Sequence, residues 1–470
     1  MGEQKEAIWL AHSQPREGQS EMIAACLETL NRGGAHLASA PTGIGKTAAA
    51  LAAAFEHVHT SDSPKTVVFL TPKQSQHEIV VETVRMINGK LRQGLKQIKL
   101  VDLIGRESMC ETVNPLTGKC ECEQNSGEAS LQSRKEDIRR YILEEPRHVG
   151  ETIDISKIWG VCAWSACRSA VRDCDVLVCD YNHIFIDDIR ESSLGSMRLE
   201  IENIVLIVDE AHNLPSRVRM GMQRRLFPEM VRNAEYEVQE HIENMNDSDS
   251  VSIKESKKKR KWCLDVCKQF RRVLDREFDN LSTQIMDSDD NEISVSSQQI
   301  LAWMDEAFDK VEEASKQTTL LEGSEIFAPK QNHRLREWSI LLSSNEVEID
   351  EDGNNEQSCH MLSHLIDVLS RFGDSPAICL VYSSDFGKKG RIITHLLDAG
   401  LVSGDIFDRV SGSILMSGTL NPPSMYADLL GISKKIRGES IHKSPFEKFR
   451  RPILVATDVT SKMTGRGISN

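Results

Sequence analysis

Short apolar runs in this chain are separated by amphipathic stretches, the spacing expected of alternating strands and helices. A helix is predicted over Glu21 to Asn31, a strand at His36 to Ser39, and an Ala-rich helix over Thr47 to His57. A strand at Thr66 to Leu70 and a helix from Gln76 to Ile87 follow, which together read as an α/β domain with a parallel sheet. From Gly105 to about Asp173 the pattern breaks into a cysteine-bearing stretch with a charged helix near Arg134 to Glu145. Strand character resumes at Val176 to Val178, and a further strand, Ile204 to Val208, runs directly into Asp209. From Leu214 to about Ser370 the chain reads as amphipathic helices, separated by acidic loops at Asn246 to Ser250, Asp287 to Glu292 and Glu348 to Glu356. The runs Ala377 to Tyr382 and Ser413 to Met416 are then expected to return to the α/β domain.

Composition narrows the class. A chain of 470 residues with 39% hydrophobic and 27% charged residues has material for several folded domains. No apolar run approaches the ~20 residues needed to span a bilayer, and the N-terminus lacks the pattern of a secretory signal. The expected setting is intracellular, cytoplasmic in a prokaryote and nuclear in a eukaryote, with no membrane partner. Reduced thiols are the rule there, so the 12 cysteines are read as metal ligands or buried small residues. The net charge of −14 argues against a phosphate-backbone partner, but its distribution matters more. Residues 213 to 410 hold 36 acidic against 25 basic residues and so carry −11 of it. The remainder is nearly balanced and leaves room for a local basic groove.

The candidate chemistry begins at Ala40-Pro41-Thr42-Gly43-Ile44-Gly45-Lys46-Thr47, which lies between a predicted strand and a predicted helix. Backbone N–H groups of such a loop, together with the helix N-terminus, cradle phosphates. Lys46 would neutralise the β and γ phosphates, and Thr47 would bind Mg²⁺. Ala40 stands where the general motif has glycine. The second half is Val205-Leu-Ile-Val-Asp-Glu-Ala-His212: Asp209 would hold Mg²⁺ through water, and Glu210 would orient and deprotonate the attacking water. Upstream, Arg16 and Gln19 sit at the start of the first helix, where the Gln19 amide could offer a donor and an acceptor to adenine. The combination implies ATP hydrolysis.

Cys110, Cys120, Cys122 and Cys162 fall between these two halves. Four thiolates suit a [4Fe–4S] cube or a structural zinc, and by spacing alone iron–sulfur, zinc and no metal stay open. Cys167 rivals Cys162. Cys26, Cys174, Cys179, Cys263, Cys267, Cys359 and Cys379 read as buried small hydrophobes. Trp159 and Trp164 could stack on bases, although core packing is the default for tryptophan. The basic run Lys257 to Lys261 could bind DNA or serve as a nuclear address, with a solvated helix face as the default.

The phosphate loop, Phe69-Leu-Thr-Pro-Lys-Gln-Ser-Gln76, the four cysteines, Asp209-Glu-Ala-His212 and Ile414-Leu-Met-Ser-Gly-Thr-Leu420 together resemble the XPD family of superfamily 2 helicases. In that family an iron–sulfur domain interrupts the first motor lobe before DEAH, a helical Arch domain follows, and Ser-Gly-Thr-Leu comes after the Arch. The resemblance implies a RecA-like motor lobe in residues 1–105, 175–213 and 375–435, interrupted by an iron–sulfur domain at 106–174 and an Arch at 214–374. Residues 436–470 would begin a second RecA-like lobe that is otherwise almost entirely missing, which would leave this chain poorly active by itself. Gly465-Arg466 is read as a loop rather than an arginine finger.

The resemblance also implies a 4Fe–4S cluster on Cys110, Cys120, Cys122 and Cys162. The matches at Gly118-Lys-Cys120 and Trp159-Gly-Val-Cys162-Ala-Trp favour Cys162 over Cys167. It implies a 5′ to 3′ DNA helicase acting in repair, with ATP, Mg²⁺ and single-stranded DNA bound and repair proteins on the Arch. Thr71, Ser75 and Gln76 would contact the DNA backbone, and His212, Ser417, Gly418 and Thr419 would couple hydrolysis to strand movement. A DinG-like relative and a non-catalytic scaffold for DNA or partners are the alternatives.

Overall fold

The computed structural model describes residues 9–91, 94–110, 112, 128–245, 251–286, 291–322, 327–344, 357–384 and 389–446. Its strands are β1 (Ala35–Ser39), β2 (Thr66–Leu70), β3 (Leu100–Asp102), β4 (Val176–Cys179), β5 (Ile204–Asp209), β6 (Arg225–Leu226), β7 (Glu292–Val295), β8 (Ile378–Ser383), β9 (Arg391–Leu396), β10 (Gly412–Ser417) and β11 (Arg437–Ile441). Cys120, Cys122, the run Ile453 to Ala456 and Gly465-Arg466 lie outside the described residues.

Seven strands form one parallel sheet in the order β11-β1-β10-β5-β2-β4-β3. A parallel sheet must be covered on both faces, so its inner strands are apolar throughout rather than alternating. β1, β5 and β10 are accordingly buried at every position. One face carries the helices Gln19–Leu30, Lys46–His59 and His77–Asn88, which bury Met22, Leu30, Phe55, Val84 and Ile87 against β-strand residues such as Phe69 and Ile207. The run Ala48 to Ala54 is wholly buried, and its small side chains let that helix lie close to the helix Gln19–Leu30.

The opposite face is covered in part by the cysteine-bearing segment. Ile138 and Ile142 of the helix Glu128–Glu144, and Ala166, Cys167 and Ala170 of the helix Ala163–Val171, share one core with Val68, Leu70 and Leu177. Its described part is therefore packed onto the parallel sheet.

A second body holds the helices Pro228–Asn244, Val251–Met286, Ser297–Glu322, Arg334–Ser343 and Ser358–Phe372, with an antiparallel sheet ordered β6-β9-β8-β7. It has its own core, in which Trp338 meets Phe270 and Phe308 edge-on at 5.4 and 5.6 Å between ring centroids. The basic run at Lys257 lies on the 36-residue helix Val251–Met286, where Arg260 is buried and donates to the Ser344 carbonyl.

Three expectations are corrected. The run Ala377 to Tyr382 does not return to the parallel sheet: it is β8, sandwiched antiparallel between β9 and β7. Leu380 and Tyr382 are buried while Cys379 and Val381 are half-exposed, the one-sided pattern of an antiparallel strand. The expected boundary at 374/375 thus falls inside the second body, and the chain rejoins the first sheet at β10. At the other end, Arg437–Ile441, within the segment expected to open a second lobe, pairs in parallel with β1 as the edge strand of the first sheet, and residues 447–470 lie outside the described residues. Cys379 is half-exposed rather than buried. No helix among the described residues is long and apolar enough to cross a membrane.

Candidate nucleotide and nucleic-acid site

The register of three adjacent strands assembles the site. Ser39 at the end of β1 pairs with Ser417 at the end of β10, and Met416 of β10 pairs with Asp209 at the end of β5. The loops leaving these strands, Ala40 to Thr47, Gly418 to Thr419 and Glu210 to His212, therefore emerge side by side at the carboxyl edge of the sheet, where open α/β sheets bind ligands.

Ala40 continues the ladder, its N–H donating to the Ser417 carbonyl at 3.0 Å. Its φ is not positive, so alanine in place of glycine costs no backbone strain there. Gly43 and Gly45 do have positive φ, 98° and 83°. A Cβ at Gly45 would stand 2.6 Å from Gln19 Nε2. Lys46 opens the helix Lys46–His59, whose Gly45 cap provides no side-chain acceptor. The first N–H groups of that helix are thus left for phosphate oxygens. Pro41, Gly43, Lys46 and Thr47 are half-exposed, Thr42 is exposed and Ile44 is buried.

Gln19 and Arg16 hold this loop from beneath. Gln19 is fully buried, its Oε1 accepting the Arg16 N–H at 3.0 Å and its Nε2 donating to the Gly45 carbonyl at 3.1 Å. Arg16 Nη1 donates to the Gly43 carbonyl at 3.0 Å. The amide expected to read adenine thus has its oxygen and one N–H bond committed to the protein.

Asp209 is buried, and that burial, followed by the adjacent Glu210 charge, pushes its pKa up to about 6, with Lys46 pulling the other way. Glu210 has φ 47°, a left-handed conformation rare outside glycine. Its Oε2 accepts from Ser417 Oγ at 2.9 Å and lies 3.3 Å from His212 Nδ1. Ser417 Oγ is also 2.7 Å from His212 Nδ1 and accepts the Thr419 N–H at 3.2 Å. The expected coupling residues His212, Ser417 and Thr419 therefore form one hydrogen-bonded group with Glu210. Gly418 is exposed, with room for a Cβ 3.7 Å from the Ala40 carbonyl.

The expected nucleic-acid residues separate. Thr71 is fully buried, donating its hydroxyl to the Lys73 carbonyl at 3.0 Å, whereas Ser75 is exposed and Gln76 half-exposed in the turn Gln74–Gln76. Trp164 is buried, with the Arg168 and Arg106 guanidinium carbons 4.3 and 5.1 Å from the ring centroid. Trp159 is partly buried and faces Tyr141.

Cys110 follows the short helix Arg106–Met109, Cys162 caps the helix Ala163–Val171, and these two helices pack together. That packing brings the segments bearing Cys110 and Cys162 together, and Cys120 and Cys122 lie outside the described residues. Cys167 is completely buried, and burial, then Asp102 and Cys162, push its thiol pKa up, which suits a packed thiol rather than a ligand.

Two partnerships went unforeseen. Tyr181, two residues past β4, donates its hydroxyl to the carbonyls of Asp209 and Glu210. His77 pairs with Asp102 in a buried contact, and the other Asp102 oxygen accepts the Val149 N–H at 2.8 Å. The available signal was a cluster of polar residues, Asp180-Tyr-Asn-His183, at the carboxyl end of a strand otherwise read only as sheet.

Comparison with known proteins agrees with this site. The DEAD/DEAH box helicase profile matches residues 16–122 and the DEAD_2 profile residues 74–226. A regulator of telomere elongation helicase 1 homolog from Arabidopsis thaliana is 28% identical over 164 residues, 32% of this chain and 15% of that protein. The ATP-dependent DNA helicase CHL1 of Kluyveromyces lactis is 30% identical over 113 residues, 24% of this chain and 13% of that protein. The matched segments thus span less than a fifth of these relatives. Among solved structures, an XPD helicase has a TM-score of 0.48 at 16% identity, covering 92% of this chain and 62% of that one. A truncated XPD has a TM-score of 0.43 at 17% identity, covering 91% and 99%. Together the two profiles match residues 16–226, a stretch that holds the phosphate loop, Asp209 and Glu210, and over it this chain is similar to DEAD/DEAH box helicases.

Proposed function

We propose that this chain is the nucleotide-binding part of a 5′ to 3′ helicase of the XPD type that hydrolyses ATP and couples the reaction to movement along single-stranded DNA, with low turnover by this chain alone. The observation that carries the proposal is the hydrogen-bonded group of Glu210, Ser417 and His212 beside the phosphate loop. Lys46 and the opening N–H groups of its helix bind the β and γ phosphates, and Thr47 and ionised Asp209 hold Mg²⁺. Glu210 accepts the proton of the attacking water. The Ser417 hydroxyl fixes which way that carboxylate points, so a shift in the loop after β10 changes catalysis. This is a direct route from strand movement to hydrolysis.

The turn with exposed Ser75 and half-exposed Gln76 leaves β2, next to β5 in the sheet, and suits contacts to a phosphate backbone. Such contacts need hydroxyl, amide and backbone groups, which an acidic protein can supply. Cys110 and Cys162, with Cys120 and Cys122, would hold a 4Fe–4S cluster, which would tie the segment between the two halves of the site into one rigid unit.

The test is ATP turnover by the full chain with and without single-stranded DNA, alongside Lys46→Ala. DNA-stimulated turnover that Lys46→Ala abolishes is expected. Turnover that DNA leaves unchanged would favour a DNA- or partner-binding scaffold.

A further inference from the structure

We infer that Tyr181 is a positioning residue for the general base Glu210, linking the nucleic-acid side of the sheet to the hydrolytic acid. The inference rests on the reading of Glu210 as the water-activating group. Tyr181 is 2% exposed, and β2 lies between its own strand, β4, and β5. Its side chain therefore reaches over the end of β2. There its hydroxyl meets the carbonyl of Asp209 and, at 3.1 Å, that of Glu210.

Those two carbonyls stand on either side of the Glu210 Cα. In extended backbone, successive carbonyls point in opposite directions, and a single donor cannot reach both. They converge only when the residue between them adopts helical dihedrals. Glu210 does so on the left-handed side, at φ 47°, where a residue with a Cβ is strained. Strained backbone of this kind persists only when its surroundings over-determine it. The Tyr181 hydroxyl is one such constraint, and the Asn213 N–H, donating to the Glu210 carbonyl at 2.9 Å, is another. Together they aim the Glu210 side chain at Ser417 rather than along the strand direction.

The same segment is anchored to the β2 side. The Thr71 N–H donates to the Cys179 carbonyl at 3.1 Å, and the Tyr181 carbonyl accepts from Phe185 at 3.0 Å as the helix Asn182–Phe185 begins. A displacement of the turn after β2 is therefore carried through Cys179 and Tyr181 to the backbone of Glu210. This path is separate from the Ser417 contact, which acts on the Glu210 carboxylate itself.

Tyr181→Phe in the full chain removes the hydroxyl and keeps the ring. The expected outcome is an unchanged thermal unfolding midpoint within a few degrees and unchanged affinity for a non-hydrolysable ATP analogue. The DNA-stimulated kcat falls about ten- to hundredfold with KM for ATP held, the loss expected of a misaligned catalytic group. A crystal structure of the variant is expected to show Glu210 outside the left-handed region. An unchanged kcat, or Glu210 still at positive φ, would overturn the inference. If the unaltered chain shows no turnover, the hydrolytic reading fails, and the Glu210 dihedral in the variant alone decides the role of Tyr181.

Discussion

Ser417 Oγ donates to Glu210 Oε2 at 2.9 Å, a contact between residues 207 apart in sequence. It joins the loop after β10 to the acid after β5, and the phosphate loop after β1 stands on the other side of β10. Among the described residues, removing this hydroxyl leaves the carboxylate with only its His212 contact and does not touch the phosphate-binding groups. Ser417→Ala is therefore expected to lower DNA-stimulated kcat about tenfold or more, since a hydrogen bond to a charged group contributes ~1.5–3 kcal/mol. KM for ATP should stay within about twofold. Steady-state kinetics at saturating DNA measures both.

Asp209 sets a pH dependence of known sign. Its carboxyl pKa is raised to about 6 by burial and by Glu210, above the unfolded value of about 4. The folded chain thus holds this proton more tightly than the unfolded chain. The resulting stability is full below pH ~4 and is lost as pH rises through about 6. Asp209→Asn should stabilise the ligand-free chain at pH 8, by up to about 3 kcal/mol for a shift of about two units, and have no such effect near pH 4. Chemical denaturation at the two pH values checks this. Mg²⁺-dependent nucleotide binding, which needs the ionised form, should weaken as pH falls below about 6.

The phosphate loop separates two kinds of small residue. Gly45→Ala would place a Cβ 2.6 Å from Gln19 Nε2 on a residue with φ 83°. It is expected to weaken ATP-analogue binding more than tenfold and to cost about 1–2 kcal/mol of stability. Ala40→Gly should leave binding within about twofold, because Ala40 already has ordinary backbone. Fluorescent-nucleotide titration distinguishes the two.

The proposed cluster ligands are separable by metal analysis. Cys162→Ser is expected to lose iron and the visible absorption band, while Cys167→Ser, a change inside the core, should keep both at reduced stability. Iron retained by Cys162→Ser and lost by Cys167→Ser would reverse the assignment.

The second body should fail independently of the site. Trp338 is completely buried between Phe270 and Phe308, and Trp338→Ala is expected to cost roughly 3–5 kcal/mol. Circular dichroism should show early loss of helix, with nucleotide affinity retained below that transition.

The sequence determined what local rules can determine. Strand, loop and helix around Ala40 to Thr47, and the apolar run ending in Asp209 and Glu210, were legible because their spacing and chemistry are set within ten residues. Ser417 was identified only by resemblance, and the reason for its importance, the contact with Glu210, is a matter of strand order. Strand order also decided what was misread. Ala377 to Tyr382 looks like any apolar run, and only its pairing with β9 and β7 shows that it belongs to the second body. Arg437 to Ile441 is polar enough to be overlooked, because an edge strand buries little, yet β1 needs it as a neighbour. Tyr181 could not be singled out at all: its function lies in reaching across β2 to two carbonyls, and no pattern along the chain records which strands lie side by side.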